Sequence, residues 1–451
     1  MPGNAAAEMA LSSGEGRSSQ RSSRFVKGTM EPKPANVAGS GIMAMLVHPL
    51  NVLLVAFPLG ILAHVFSWGD VWIFWLNFIA LVPMAKILGD ATEELAAGLK
   101  NDMLAGLLNA TFGNAVEMVI MVQTLRAGYT EVVKATLLGS VLSNLLLVLG
   151  MSFFFGGIIG SSKKNSTSAI PLSPPQAAGA RKSLTSPTAA VRLDMAEVET
   201  YAEFVGEKVQ TFSVMSALVN TSMLLLSCLS FSLVTVFASE THPDGTGAMD
   251  LVLLPVSRIC SIIIMVAYGA YIFFQLVTHR EAMAEDDDGD NGDNEEPALS
   301  IPTAVMVMLL TTCIVAFSSE LLVSSLDEVV EHMGISRHFI GIILLPIVGN
   351  ACEHASAIRF AVMDKCGLSI GIAVGSSTQI SLFVVPFSVI VGWTIQQPMD
   401  LNFGSLNTTV MSISVVVVLS VVVDGTANWL QGYLLMSAYF VVGVLYWHLP
   451  N

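Results

Sequence analysis

From about residue 43 onward the chain is written as long apolar runs separated by short polar connections. The runs cover roughly 43–66, 71–88, 103–125, 132–158, 211–238, 250–277, 301–324, 338–363, 368–393, 406–423 and 427–447. About 20 apolar residues suffice for a helix to span the hydrocarbon core of a bilayer. The pattern therefore predicts an all-α polytopic membrane protein with about eleven transmembrane helices. Three stretches stand outside it. Residues 1–40 are rich in Ser, Gly and Arg with no apolar core, which predicts a disordered tail and excludes a cleaved signal peptide. Glu8, Glu15 and Glu31 weaken the case for a transit peptide. Residues 161–208 are rich in Ser, Pro and Lys and predict a disordered loop, ending in a short helix near 194–208. Residues 281–300 form an acidic linker.

Composition sharpens this reading. The chain is 53% hydrophobic and 12% charged, whereas an ordinary soluble domain carries about 25% charged residues. Much of the net charge of −15 lies in the acidic linker, and no basic, aromatic-interleaved surface suggests nucleic acid. The five cysteines are scattered in or beside apolar runs without CxxC or metal-finger spacing, so they read as small buried hydrophobes. With the N-terminus cytosolic, all of the 20 Lys and Arg except Arg126, Lys134, Arg258 and Arg337 fall on or near the inner face. The positive-inside rule thus favours a cytosolic N-terminus.

One motif is written twice. Gly113-Asn114-Ala115-Val116-Glu117 returns as Gly349-Asn350-Ala351-Cys352-Glu353-His354. Gly139-Ser140-Val141-Leu142-Ser143 returns as Gly375-Ser376-Ser377-Thr378-Gln379. Both pairs of glycines are 236 residues apart (113 to 349, 139 to 375), so the duplicated unit has no slip. Small residues of this kind also serve helix packing. Packing alone does not explain a carboxylate near the middle of a membrane run, which costs about 3 kcal/mol on insertion scales. Setting the first helix (41–68) aside leaves five helices in 69–280 and five in 301–451. An odd-numbered unit inserts its second copy upside down, so the pattern predicts two inverted repeats with both motif helices facing each other near the midplane.

Glu117 and Glu353 then supply two carboxylates to one site. Asn114, Asn350 and the carbonyls at Asn109–Gly113 and Pro346–Gly349 supply further oxygens, the glycines interrupting their helices. Such an oxygen set suits a hard cation, Ca²⁺ taking 6–8 oxygens at about 2.3–2.6 Å. His354 beside Glu353 would soften the site towards Mn²⁺ or Cd²⁺. Ser140, Ser143, Ser376 and Gln379 on neighbouring helices either hold the glutamates or a coordinating water, or serve only as interhelical hydrogen bonds. Two carboxylates sharing an apolar site also bind protons when no cation is present. Glu117 and Glu353 therefore read as proton-coupling groups, with His354 as a third candidate or an interhelical hydrogen bond. Glu93, Glu94 and Glu320 lie near helix ends and read as a cytosolic vestibule or as solvated charges. The run containing Glu285, Asp286, Asp287, Asp288, Glu295 and Glu296 fails as an EF-hand, having no Gly at position six with Glu at twelve. It reads as a solvated linker or as a cytosolic collector of cations.

These residues resemble the cation/proton exchanger (CAX) family of the calcium/cation antiporter superfamily over about residues 70–450. The resemblance is carried by Ala91-Thr92-Glu93-Glu94-Leu95, by Leu107 to Glu117, by Leu138 to Gly150, by Gly341 to His354 and by Gly371 to Ile380. It implies eleven helices and an acidic segment between the halves. It further implies Ca²⁺/H⁺ antiport into an acidic store such as a vacuole, with cation ligands at Glu117 and Glu353 and polar help at Ser140, Ser143 and Gln379. Relatives held inactive by their N-terminal tails imply a regulatory role for residues 1–40. Met118, Cys352 and the long 161–208 insertion depart from the family pattern. The partners so implied are Ca²⁺, protons and the lipid bilayer, with no organic cofactor and no enzymatic activity. The competing readings are a Na⁺-coupled Ca²⁺ exchanger, which would want more Thr, Ser or Asp beside the motif, and a channel, which an internal inverted duplication argues against. An intramembrane enzyme would need an HExxH or a nucleophile–base pair, and none stands out.

Overall fold

The computed structural model describes residues 41–43, 45–99, 102–160, 209–241, 249–280 and 298–449. The expectations placed on 1–40, on 161–208 and on Glu285, Asp286, Asp287, Asp288, Glu295 and Glu296 lie outside the described residues.

A 3₁₀ turn (Pro49–Val55) leads into α1 (Ala56–Val65), followed by α2 (Asp70–Gly98), α3 (Asp102–Phe112) and α4 (Ala115–Arg126). The long α5 (Thr130–Ile159) is followed by β1 (Val209–Thr211), α6 (Val214–Thr241) and α7 (Val252–Thr278). The second half comprises α8 (Ile301–Ser324), α9 (Leu326–Met333), α10 (Arg337–Gly349), α11 (Ala351–Val362) and α12 (Cys366–Thr394). It ends with α13 (Ser405–Val422), β2 (Thr426–Asn428) and α14 (Trp429–Trp447). Among the described residues, eight helices are each long and apolar enough to span a bilayer, and α10 with α11, bent by 58°, makes a ninth. The segment Pro49–Val65 and the interrupted pair α3–α4 occupy the two remaining apolar runs, which is consistent with eleven.

The duplication in sequence is a duplication in backbone. Helices α4 and α11 are both 12 residues long and start 236 residues apart, at Ala115 and Ala351. Helices α5 and α12 start at Thr130 and Cys366, again 236 apart. Each of these long helices contains a wide π-type stretch, Ser143–Val148 in α5 and Ile380–Val384 in α12, a distortion often found at functional sites. Equivalent helices pack on each other: α2 lies extensively against α8, and α6 against α13. Such like-to-like packing is what a two-fold relation between halves produces. Two apolar clusters result, one built around α2, α4 and α8, the other around α5, α6, α12, α13 and α14.

Helix α2 runs ten residues beyond the apolar run 71–88, to Gly98. Its polar extension is sustained by an ion pair one turn apart, Lys86 with Asp90, and by the burial of Ala91, Thr92 and Leu95. The extension carries Glu93 and Glu94 into the protein. At the same end, β1 pairs antiparallel with β2, and the buried Gln210 side chain donates to the Ala361 carbonyl (2.8 Å), pinning the end of α11.

Close backbone approach holds α5 to α14. A Cβ at Gly150 would lie 2.9 Å from the Met436 backbone nitrogen and 3.0 Å from the Gly432 carbonyl oxygen, both rigid backbone atoms. Gly150→Val therefore lowers stability by about 1–3 kcal/mol through overpacking, read as a drop in unfolding midpoint in detergent, with helical content unchanged.

Candidate cation site

Both motif helices are interrupted at the motif. Asn114 (φ −105°, ψ 35°) separates α3 from α4, and Asn350 (φ −88°, ψ 15°) separates α10 from α11, both outside helical values. In each copy the glutamate comes three residues later, in the first turn of the new helix. The two breaks meet: a Cβ at Gly349 would sit 2.7 Å from Glu117 Oε1, so only a glycine leaves room for that carboxylate. Glu117 is 3% exposed.

Two cavities reach this point. One, of about 160 Å³, is lined by Glu117, Glu353, Gly113, Gly349, Asn109 and Glu93 among others. The second, of about 590 Å³, shares Asn109, Gly113 and Glu353 and adds Asn114, Ser376, Gln379, Tyr268 and Tyr271. Both occupy one end of the bundle. Their walls come from the second half of α2, the middle and end of α3, the end of α7 and the first half of α12. Leu299, just before α8, donates its backbone N–H to Glu94 Oε2 (3.0 Å), which places the start of α8 at this end as well.

The polar groups in and behind the cavity walls pair across the two halves. Ser376 Oγ donates to Asn114 Oδ1 (3.0 Å) and accepts from Asn144 Nδ2 (3.0 Å). Asn350 Nδ2 donates to the Ser140 carbonyl (3.3 Å). Ser140 and Ser376 are equivalent positions, as are Asn114 and Asn350, so each asparagine is held by the other half's serine position. Val141 and Ser377, also equivalent, meet directly, the Ser377 hydroxyl donating to the Val141 carbonyl at 3.4 Å. The pseudo-two-fold axis passes there. His354 Nδ1 donates to the Asn350 carbonyl, and its Nε2 lies 3.5 Å from Ser143 Oγ.

The acceptors left over define the chemistry. Glu117 Oε1, Glu353 Oε2, Asn350 Oδ1, Asn144 Oδ1 and Ser140 Oγ are buried and find no hydrogen-bond partner among the described residues. Buried polar atoms are normally paired, and a group of unpaired oxygens around two carboxylates is suited to a cation. No cluster of three or more His, Cys, Asp or Glu poised for a metal is present among the described residues. The oxygens therefore have to come from carboxylates, amides and hydroxyls, a set for hard cations rather than for zinc or copper.

The sequence-derived residues divide into two layers. Glu117, Glu353, Gly113, Gly349, Asn114 and Gln379 line the cavities; Asn350, Ser140, Ser143 and His354 stand behind them. Glu93 lines the smaller cavity, but Glu94 does not: it caps the approach to α8. Glu320 belongs to no vestibule shared with Glu93. It sits exposed near the far end of α8, about 30 Å along the helix from Ser300. The carbonyls of Asn109 and Pro346 are already engaged by the N–H groups of Gly113 and Asn350 at 2.9 Å, because helical bonding persists up to each break. Sequence reasoning undervalued Ser376 and Asn144. The 236-residue offset from Ser140 identifies Ser376. Asn144 has an isoleucine, Ile380, at its equivalent, so the repeat offers no signal for it. Tyr268 and Tyr271 on α7 carried none either.

Two interrupted helices related by a pseudo-two-fold, with a carboxylate at each break and cavities open to one end, define a membrane transporter built from two repeats. The chain belongs to the family of the sodium/calcium exchanger protein, whose model matches residues 69–277 and 303–447. It is 39% identical over 404 residues to vacuolar cation/proton exchanger 1a of Oryza sativa subsp. japonica, covering 89% of this chain and 80% of the relative. It is 33% identical over 416 residues to the vacuolar calcium ion transporter of Schizosaccharomyces pombe, covering 92% and 89%. Among solved structures it is similar to native YfkE, with a TM-score of 0.65 at 30% identity over 89% of this chain and 100% of that one. The fold is shared with an H⁺/Ca²⁺ exchanger CAX, with a TM-score of 0.58 at 12% identity over 88% of this chain and 91% of the other.

Gly349→Ala tests the contact between the breaks. The added methyl displaces the Glu117 carboxylate while favouring the helix. The thermal stabilisation conferred by Ca²⁺ should fall at least tenfold in apparent affinity, with the unfolding midpoint in chelator unchanged or higher.

Proposed function

We propose that this protein is a secondary transporter that exchanges cytosolic Ca²⁺ for protons from an acidic compartment, the vacuolar membrane being the setting its relatives' names support. The observation that carries the reading is the meeting of Glu117 and Glu353, with unpaired buried oxygens around them, at cavities open to one end.

The mechanism follows from charge. Two buried carboxylates without a counter-charge are costly, so the site holds either a divalent cation or protons and is stable with each in turn. Ca²⁺ arriving through the cavities displaces the protons. After the cavities close and the other face opens, protons from the acidic side displace Ca²⁺. Under the positive-inside orientation the open cavities face the cytosol. Glu93, lining the smaller cavity, attracts the cation towards the pair. Gln379 supplies a neutral oxygen at the larger cavity, Ser376 holds Asn114 there, and Asn350, Ser140, Ser143 and His354 fix the breaks from behind. A Na⁺-coupled exchange by the same fold is the alternative. The relatives named as cation/proton exchangers, at 35–39% identity, favour protons.

Ca²⁺ uptake into proteoliposomes acidified inside, with the membrane potential clamped, should collapse with a protonophore and ignore a Na⁺ gradient. Glu117→Gln and Glu353→Gln should each reduce it at least a hundredfold while the protein still folds, since removing an intramembrane charge lowers insertion cost. Uptake driven by Na⁺ alone would replace the proton reading, and full activity in either variant would remove the site.

A further inference from the structure

The end of the bundle away from the cation site is held together by a set of contacts that the transport site does not use, beside a separate cavity of about 300 Å³ lined by Tyr129, Glu131, Val132 and Arg337. Lys134, near the start of α5, is 5% exposed, and its ammonium lies 2.9 Å from Asp400 Oδ1 and 2.9 Å from Glu131 Oε1. Asp400 lies in the connection between α12 and α13, so this pair joins the two halves. Asp327 on α9 accepts from the Tyr129 hydroxyl (2.7 Å), just before α5, and from Arg337 (2.9 Å), at the start of α10. That cluster joins the halves a second time. Beneath both, α5 and α10 touch through glycines: a Cβ at Gly341 would lie 2.7 Å from Ala135 Cβ, and one at Gly139 would collide with the Ile342 carbonyl.

These observations share a direction. Lys134 and Arg337 are two of the four basic residues that break the positive-inside pattern, and a buried lysine away from the cytosol needs a reason. Its reason here is a partner on the other half. Removing one member of a buried ion pair is strongly destabilising to the arrangement that buries it. A contact between halves present only while this face is closed biases the closed arrangement by its own free energy.

We propose that Lys134 and Asp327 are positioning residues that latch this face shut, Lys134 through Asp400 and Asp327 through Tyr129 and Arg337, and that both latches part when the site is exposed to this side. The proposal rests on the alternating exposure described above. It predicts that weakening a latch moves the population away from the cavity-open form, with no change in the ligands of the site.

Two thiols report the two faces. Cys352 lines the smaller cavity, and Val132, buried on α5 beside the latch, is replaced by cysteine with little change of volume. In proteoliposomes of known orientation, a membrane-impermeant maleimide is applied to one face, and each site is followed by peptide mass spectrometry. Asp327→Ala, at a half-exposed carboxylate, removes the acceptor of the Tyr129 hydroxyl and should slow Cys352 labelling about threefold and speed Val132→Cys labelling about threefold from the other face. Its apparent Ca²⁺ affinity on the cavity side should weaken by a similar factor, because only the competent fraction binds. Lys134→Met should do the same more strongly, and adding Asp400→Asn to it should change the rates little further, since the pair between the halves is already broken. Folded Asp327→Ala protein with both labelling rates unchanged would overturn the latch, as would a double variant whose shift is the full sum of the Lys134→Met and Asp400→Asn shifts. Glu117→Gln separates the two readings: if it abolishes transport while the latch variants label normally, the site stands and the latch falls. If it transports normally, the site itself is misplaced.

Discussion

Everything in this structure answers to one constraint: two carboxylates have to be kept side by side deep in an apolar bundle, reached only through cavities at one end. At about 3 kcal/mol per charge on insertion scales, the cost is met by geometry rather than by a fixed counter-ion. Each glutamate sits one turn past a helix break, where the first backbone N–H groups of the new helix lack carbonyl partners and present positive potential. The second break needs its glycine, because the opposing carboxylate of Glu117 comes within contact of the backbone at Gly349. Each break also needs an asparagine, whose side chain is held by the other half at Ser376 or at the Ser140 carbonyl. The motif Gly-Asn-Ala-x-Glu is thus a compact solution to a burial problem.

The pseudo-two-fold relation explains how one short motif serves twice, and its imperfections are equally informative. Gln379 stands where the first half has Ser143, His354 where it has Met118, and Asn144 where the second half has Ile380. The larger cavity is lined by Gln379 on one side, and the His354–Ser143 approach lies behind the site on the other. In an inverted repeat, exchanging the conformations of the halves generates the opposite-facing state. With unequal side chains the two states differ in energy, so these three positions, together with the latches, set which face is favoured.

The fold was legible because bilayer burial imposes length and apolarity on each helix, and because duplication doubles the signal. The carboxylates, the glycines and the asparagines were all visible as a repeated pattern. What composition could not convey was depth. Glu93 and Glu94 are adjacent in sequence, yet one faces the cavity and the other caps α8, a difference of about 100° around a helix. Glu320 looked like their companion because it shares their residue type, but helix direction puts it at the other end of α8. The carbonyls of Asn109 and Pro346 looked free because glycines follow them, whereas the helices retain their bonds to the last residue before each break. Asn144 gave no signal because its function is asymmetric.

The same carboxylate pair accounts for exchange rather than leak. Passing from one exposed state to the other requires an intermediate in which both faces are shut around the site. With both glutamates ionised and unaccompanied, that intermediate confines two like charges in a low-dielectric space, where their repulsion and lost hydration add. With a divalent cation, or with protons, the charge is compensated and the cost largely disappears. The barrier to the empty transition is therefore a property of Glu117 and Glu353 themselves, and coupling requires no separate device. The latches at the far face have a complementary part. They set the resting direction of the site, while the charge state of the two glutamates decides when it is free to turn.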